Sequence, residues 1–286
     1  MNHLELFNKY KNILFNVAYR MLSSVMDSED ILQETYLKWQ SINLEEIKSH
    51  KSYLITIVTR LCIDYLNSSK NKREEYIGIY LPEPLITDNY EAPEYIIEKK
   101  ESVSTAFLLL MEKLSPYERA VFILHELFDY SYLEISKIIE KSETNCRQIL
   151  HRANEHISKD KKRFNTTKEQ QINIITKFFD ACNKADLEGL INLLSNEIVL
   201  VSDGGGKAIA VKYPLVGAEK VAKFFIGLRQ KSPSDYNIKI REINNNIAFI
   251  GYSNNKIINV VVLEINDNLV SSFYIIVNPD KLNNIR

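Results

Sequence analysis

Apolar residues recur at helical spacing through the N-terminal quarter of the chain. Those from residue 6 to residue 21 predict a first helix of about five turns. Residues 27–30 offer an N-cap and first-turn acids for a second helix. A third helix is predicted to end in the polar, basic run 67–73, and its inward stripe comprises Tyr53, Leu54, Ile57, Val58, Leu61, Cys62, Tyr65 and Leu66. Together these patterns predict a helical bundle over residues 1–73.

Residues 114–157 carry helix-start signals typical of a helix-turn-helix. Ser115 and Glu118 form a capping box around a proline at the first helical position, and Ser131 and Glu134 repeat the box. A last helix buries Cys146, Leu150, Ala153 and Ile157 on one face. Its opposite face has side chains suited to base edges and phosphates, namely Thr144, Asn145, Arg147, Gln148, His151 and Arg152. The pattern alone leaves open an all-α domain that never contacts DNA, although the basic residues between 147 and 163 favour DNA binding.

The rest of the chain is a linker followed by a domain of mixed structure. Residues 74–94 lose periodicity and contain helix-breaking Pro and Gly, yet they are apolar enough to pack against another surface. Helices resume at about residue 95 and continue to 164. Beyond residue 165 the predicted order is helices at 168–181 and 186–194, a strand at 198–202, a helix at 218–230, and strands at 236–242, 247–252, 257–265 and 270–277. The fold class is thus an all-α module followed by an α+β cone with a curved antiparallel meander.

Composition narrows the functional classes. A net charge of -1 excludes a protein that coats nucleic acid indiscriminately, so we expect a local DNA contact assisted by a partner. Three scattered cysteines without CxxC spacing predict a reduced compartment and no structural metal or cofactor. The chain shows neither a signal peptide nor a long apolar run, which predicts a cytoplasmic protein with no membrane partner.

One glycine-rich run is a candidate for anion chemistry. It comprises Asp203, Gly204, Gly205, Gly206 and Lys207. Its backbone could cradle a phosphate, but the spacing matches neither common phosphate-binding motif. A turn that lets another segment approach closely is therefore the favoured interpretation. The five histidines all lie outside the domain of Asp203, and no second acid is obvious near it in the sequence, so we predict no catalytic residues and no enzyme activity.

Several segments resemble extracytoplasmic-function sigma factors of RNA polymerase, in particular the group with a SnoaL-like C-terminal extension. Residues 27–36 resemble the DAEDIVQETF-type sequence of sigma region 2. Residues 52–66 resemble the helix that captures the melted −10 element, and the helix-turn-helix resembles region 4, which reads the −35 element. The runs LPEP at 81–84, DGGGK at 203–207 and NPDKL at 278–282 extend the resemblance over nearly the whole chain.

This resemblance implies four parts: region 2 (1–73), a linker (74–94), region 4 (95–164) and an NTF2-like regulatory domain (165–286). It implies two partners, promoter DNA and the β′ clamp helices of core RNA polymerase. The expected polymerase contacts are Asp27, Glu29, Asp30, Gln33 and Glu34, and the expected −10 contacts are Lys51, Thr59 and Arg60. The exposed face of the last helix becomes the −35 reader, in which Ile149 either reads a thymine methyl or packs.

The resemblance also implies that the C-terminal domain acts in place of a separate anti-sigma protein. The expected regulatory residues are Leu81, Pro82, Glu83, Pro84, the run 203–207, Asn278, Pro279, Asp280, Lys281 and Leu282. We expect the linker to rest on the glycine-rich turn, with Lys207 meeting Glu83. Two rival functions remain open. One is an enzyme or small-molecule sensor that uses the pocket of the cone, where a ligand can bind without turnover; the other is a dimeric repressor, which has no need of an acidic docking helix.

Overall fold

The computed structural model describes residues 1–68, 76–87, 104–158, 167–283 and 285. They belong to two compact units, one made of residues 1–75 and 89–161 and the other of residues 76–88 and 162–286. The predicted basic residues at 159–163, the end of the basic run at 69–73 and the helical resumption at 95 lie outside the described residues.

The first helical group contains α1 (His3–Leu22), α2 (Val25–Gln40), a 3-10 turn (Leu44–Glu46) and α3 (His50–Ser68). Asn2 and Glu5 form a capping box on α1. The cap of α2 is Ser24, whose hydroxyl accepts from the Asp27 amide at 3.2 Å. Helix α2 therefore starts before the N-cap predicted at residues 27–30, and Asp27 lies in its first turn. Trp39 is fully buried where the three helices meet, and its indole donates to the His3 carbonyl at 3.0 Å.

The second helical group contains α4 (Thr105–Met111), α5 (Pro116–Phe122) with a following π turn (Ile123–Leu127), α6 (Tyr132–Ile139) and α7 (Glu143–Ser158). Both predicted capping boxes are present, on α5 and on α6. The predicted inward face of α7 is buried at Cys146, Leu150, Ala153 and Ile157. Local sequence signals thus specified this helix-turn-helix correctly.

The two helical groups pack against each other within one unit. Helix α3 contacts α5 and α6. Most of its predicted stripe is buried or partly buried, but Tyr53 is 37% exposed, and a second face is buried at Ile55, Thr59 and Ile63. The buried guanidinium of Arg119 donates to the carbonyl of Met21 and to Glu112. The periodicity of α3 revealed only one of its two buried faces, because it cannot show a partner from a distant part of the chain.

The second unit is a six-stranded sheet with helices. Its elements are α8 (Lys168–Lys184), α9 (Leu187–Ile191), β1 (Leu194–Asp203), β2 (Leu215–Val216), α10 (Ala218–Gln230), β3 (Asn237–Ile243), β4 (Asn246–Ser253), β5 (Lys256–Asn266), β6 (Leu269–Ile276) and α11 (Pro279–Leu282). The strand order is β2-β1-β6-β5-β4-β3. Strands β3 to β6 form the predicted antiparallel meander, whereas β1 joins β6 in parallel. Helix α9 is shorter than predicted because Leu194 already belongs to β1.

Paired asparagine and aspartate residues set the hairpins of this sheet. Residues 244–245, 254–255 and 267–268 all have positive φ angles, between 49° and 62°. Two successive residues of this conformation form the turn that matches the twist of a β-hairpin. The core between the sheet and the helices centres on Phe178, Phe225 and Phe273, whose ring centroids lie 4.5 to 5.2 Å apart.

Candidate functional sites

The predicted −35 residues form one accessible face of α7. Thr144, Arg147, Gln148, His151 and Arg152 are exposed and Asn145 is partly exposed. Ile149, by contrast, is only 2% exposed, so it packs and does not read a base in this structure. The face combines amides, hydroxyl and guanidinium groups, which are the donors and acceptors needed in a major groove.

An aromatic stack orients Arg147. Its guanidinium lies 4.2 Å from the ring centroid of Tyr132 on α6, and that ring stacks on His125 at 4.4 Å. Stacking limits the rotamers of a long side chain. One terminal nitrogen lies 3.9 Å from Oε2 of Glu143, and in this exposed pair a base or phosphate can take the place of the carboxylate. Tyr132 thus positions Arg147. The periodicity of α7 could not reveal this contact, because Tyr132 lies on a different helix, α6.

The predicted polymerase-docking residues follow the outer side of α2. Glu29, Asp30, Gln33 and Glu34 are exposed, and Asp27 is partly exposed. Beside them a shallow groove between α1 and α2 includes exposed Leu4 and Leu37 together with Glu29 and Gln33. Apolar side chains flanked by acids are suited to a partner surface that has both basic and apolar groups.

The predicted −10 residues on α3 have three different environments. Lys51 is exposed, whereas Thr59 is fully buried and cannot contact DNA in this structure. Arg60 is bound to α6: its Nε donates to the Ile138 carbonyl at 2.8 Å and a terminal nitrogen donates to the Lys137 carbonyl at 3.0 Å. A second terminal nitrogen lies 2.9 Å from the carboxylate of Glu140. The structure thus holds this predicted DNA contact against α6, the helix that precedes α7.

Asp203 is the centre of a buried polar cluster in the second unit. It is fully buried, and its Oδ1 accepts from the Tyr76 hydroxyl at 2.5 Å and from the Gly205 amide at 3.0 Å. Its Oδ2 accepts from the Leu81 amide at 2.9 Å and from Lys281 Nζ at 2.8 Å. Burial, followed by the hydrogen bond to Asp203, raises the pKa of Tyr76 well above its usual value, so the phenol stays a neutral donor. Four donors engage this carboxylate, and their hydrogen bonds compensate for the cost of burying its charge.

Lys281 completes the cluster from α11. Its side chain is 6% exposed, and Nζ donates to the Leu81 carbonyl and to Asp203. The same ammonium lies 3.5 Å from the ring centroid of Tyr80 and 5.3 Å from that of Tyr76. One cation thus joins the 203–207 run, the 278–282 run and the linker.

The glycine-rich turn permits the close approach expected of it. A Cβ on Gly205 would lie 2.3 Å from Nδ2 of Asn278, and one on Gly206 would lie 3.0 Å from Ile77. The expected pairing of Lys207 with Glu83 is wrong, because Lys207 lies 2.5 Å from Asp280 at the surface. Glu83 is buried within the LPEP segment.

The linker residues 76–87 cross from this cluster to the edge of the sheet. All four residues of the LPEP segment are buried. Further along, Ile86 bridges to Ile243, the Thr87 amide donates to Glu242, and the Asn244 amide donates to Leu85, at 2.9 Å in both hydrogen bonds. Sequence reasoning expected the linker to dock but missed Tyr76, Tyr80 and Asn244 as contacts. The apolar character of the linker could have indicated that the two tyrosines are contact residues.

A cavity of about 370 Å³ opens in the same unit between α8, α10 and the sheet. Its lining includes Phe178, Phe225 and Phe249 from the core and Arg229 at the C-terminal end of α10. None of the described residues that line it is Asp, Glu, His or Lys. The arrangement suits binding better than acid–base chemistry.

The described residues include three cysteines, all of them buried. Cys62, Cys146 and Cys182 are buried free thiols, and burial raises the pKa of each. Across the described ranges no cluster of His, Cys, Asp and Glu could hold a metal ion. No helix in those ranges combines the length and apolar character needed to cross a bilayer.

Two family models match the helical unit. One, described as Sigma-70 region 2, covers residues 6–72, and the other, described as Sigma-70, region 4, covers residues 104–157. They coincide with the first and second helical groups.

Curated relatives extend the similarity beyond the helices. The extracytoplasmic-function RNA polymerase sigma factor SigJ of Mycobacterium tuberculosis is 30% identical over 227 residues, which cover 79% of this chain and 72% of that protein. The probable sigma factor SigI of the same species is 25% identical over 279 residues, 97% of this chain and 93% of its own length. A crystal structure of SigJ matches with a TM-score of 0.78 and 26% identity over 98% of both chains.

Proposed function

Because this chain belongs to the extracytoplasmic-function RNA polymerase sigma factors, we propose that it brings core RNA polymerase to promoters with particular −35 and −10 elements and promotes melting there. The observation that carries this proposal is the exposed polar face of α7 in the same unit as the exposed acids of α2. The first surface suits a major groove, and the second suits a basic partner helix. The first helical group then acts as region 2 and the second as region 4.

The packing of the two helical groups implies that this state must open before both elements are read. Elements at −35 and −10 lie about 25 base pairs apart, or about 85 Å at 3.4 Å per base pair. In the structure Arg60 of α3 and Ile138 of α6 are joined by a 2.8 Å hydrogen bond. The described arrangement is therefore a closed state, and we propose that polymerase and DNA favour an open one.

In this proposal the second unit regulates how far regions 2 and 4 can separate. It holds residues 76–87, the middle of the only covalent connection between regions 2 and 4. Docking of this linker restrains the separation of the two regions, so its release raises promoter output without a separate anti-sigma protein. No catalytic step is assigned to this unit, since Asp203 is engaged by the linker and by Lys281.

Transcription in vitro with core polymerase and a library of promoter sequences tests the primary function. We expect polymerase-dependent initiation at a defined set of promoters. Arg147→Ala should weaken use of the preferred −35 base by about 5- to 150-fold, the range of one good bidentate base contact. Lys9→Ala is the matched control, because it removes a cation of α1 outside both predicted DNA faces. Failure to initiate at any promoter would refute the proposal, and an equal effect of the two variants would remove Arg147 from the reader.

A further inference from the structure

The cavity of the second unit has the dimensions of a small-molecule site. Its volume of about 370 Å³ falls within the range of about 300 to 1,000 Å³ that is usual for such sites. It lies between two helices and one face of the sheet, all of which belong to the same compact unit. The site is therefore preformed by rigid elements and does not depend on the helical unit.

The walls of the cavity are apolar and aromatic. Phe178, Phe225 and Phe249 form its buried part, and Phe179, Phe224 and Tyr236 add three more rings. At its edge Ile209 is fully exposed and Leu228 is 42% exposed. Exposed apolar side chains beside an aromatic cavity are stabilised when an apolar body covers them. This lining selects a ligand with a ring-bearing or branched apolar body.

The charge at the cavity comes from Arg229. Arg229 is the only charged residue among the described residues of the lining, and its Nε donates to Oδ1 of Asn183 at 2.7 Å. Burial raises the pKa of Cys182 to about 12 and also raises that of Tyr236, so both stay neutral near pH 7. A guanidinium has five N–H donors in a planar fork, so its terminal nitrogens can bind an oxyanion while Nε holds Asn183. One cation beside an otherwise uncharged apolar cavity selects a single anionic group on the ligand.

We propose that this cavity is a binding site for a small apolar molecule with one anionic end, such as an aromatic carboxylate or sulfonate. The apolar body fills the aromatic cavity, and the anionic end pairs with Arg229 at its edge. We expect this ligand to be bound without being transformed, since the described residues of the lining include no acid–base pair. This inference deepens the regulatory part of the proposed function but does not depend on it, because binding requires neither polymerase nor DNA.

The strands of the cavity connect it with the linker cluster. Ser202 and Val277 line the cavity, and the next residues, Asp203 and Asn278, belong to the cluster that holds the linker. Successive residues of a strand point to opposite faces, so β1 presents one side to the ligand and the other to the linker. A ligand that shifts β1 therefore changes the affinity of the unit for its own linker.

Titration of the full-length protein with 8-anilinonaphthalene-1-sulfonate tests the site, because this probe has an aromatic body and one sulfonate. Calorimetry should show saturable binding of one probe per chain. Arg229→Gln should weaken that binding about tenfold, as expected for one charge-assisted hydrogen bond. Lys220→Gln removes a cation from the same helix outside the cavity and should leave the affinity unchanged. Ser232→Trp, which places a large ring in the lining, should abolish binding.

An uncharged probe with the same body, N-phenyl-1-naphthylamine, separates the apolar and ionic contributions. It should bind the unmodified protein and Arg229→Gln with equal affinity. Thermal melts of each variant check that the second unit is still folded. Absence of saturable sulfonate binding, an equal effect of Arg229→Gln and Lys220→Gln, or unchanged binding in a folded Ser232→Trp variant would each overturn the proposal. A protein that is inactive in transcription could still bind the probe. Failure of the proposed function can therefore be distinguished from failure of this binding site.

Discussion

A single carboxylate connects three parts of the chain that lie far apart in sequence. Asp203 binds Tyr76 and Leu81 of the linker, Gly205 of its own turn and Lys281 of α11. The three motifs could be identified from the sequence, but the charge pairs between them could not. From the sequence, either Lys207 or Lys281 could pair with Asp203. In the folded structure Lys281 is buried and forms that pair, whereas Lys207 lies at the surface beside Asp280.

Asp203→Asn should strongly destabilise the second unit. The substitution keeps the shape of the side chain but removes the buried negative charge that lies 2.8 Å from the Lys281 ammonium, which costs about 3 to 5 kcal/mol. Asp280→Asn is the matched control. It disrupts the Lys207–Asp280 pair, whose side chains are both 56% exposed, and should cost less than about 1 kcal/mol. Native-state hydrogen exchange of the β5 and β6 amides measures both changes, and equal effects would contradict the central role of Asp203.

At the scale of elements, local signals predicted helices and hairpins well. The capping boxes at Ser115 and Ser131 and the Asn and Asp pairs of the hairpins act over two to four residues, so the sequence displays them directly. The second buried face of α3 and the parallel pairing of β1 with β6 depend on distant partners. Periodicity reports that a face is buried and gives no information about the element that covers it.

The capping box of α6 should make the stability of region 4 depend on pH. Hydrogen bonds from Ser131 lower the pKa of Glu134 below the usual 4.5. A lowered pKa in the folded state means that this contribution is present above about pH 4.5 and is lost as the pH falls through the folded-state pKa. Ser131→Ala should return the pKa of Glu134 toward 4.5 and destabilise the helix by about 1 kcal/mol. An NMR titration of Glu134 measures the shift, and Ser136→Ala, on the same helix, should leave the pKa unchanged.

Arg60→Gln should weaken the contact between α3 and α6. The variant loses the ion pair with Glu140 and most of the donors to the two carbonyls at the end of α6. We expect a larger radius of gyration in small-angle X-ray scattering, because the open state becomes more populated. Lys51→Gln, which removes an exposed cation from the same helix, should leave the radius unchanged. A compact Arg60→Gln variant would show that other contacts, such as that of Arg119, keep the regions together.

At the scale of the whole molecule, the sequence predicted four consecutive parts, whereas the structure groups the chain into two compact units. Regions 2 and 4 form one compact unit, and the linker between them belongs to the other. Domain boundaries along the sequence could not predict this grouping. Residues 76–88 lie in sequence between the two segments of the helical unit, but in space they belong to the other unit. The tyrosines and the LPEP segment account for that membership.

Gly205→Ala should release the linker and raise promoter output. The added methyl group would overlap Asn278, and the φ of +57° disfavours any residue with a Cβ. The Leu81 amide should then exchange faster with solvent, and initiation from a defined promoter should increase. Gly227→Ala is the control, because its Cβ meets nothing within 4 Å and alanine favours the helix. Unchanged exchange at Leu81 in a folded Gly205→Ala protein would remove the glycine-rich turn from linker control.

The large sequence separation between the linker and Lys281 affects the order of events during synthesis of the chain. Leu81 and Lys281 are 200 residues apart, and a ribosome that adds about 5 to 20 residues per second needs about 10 to 40 seconds to pass from one to the other. Both promoter-reading regions are synthesised before the ammonium group that holds their linker. Each newly made molecule therefore passes through a period in which its helices can fold and engage a partner before Lys281 can hold the linker.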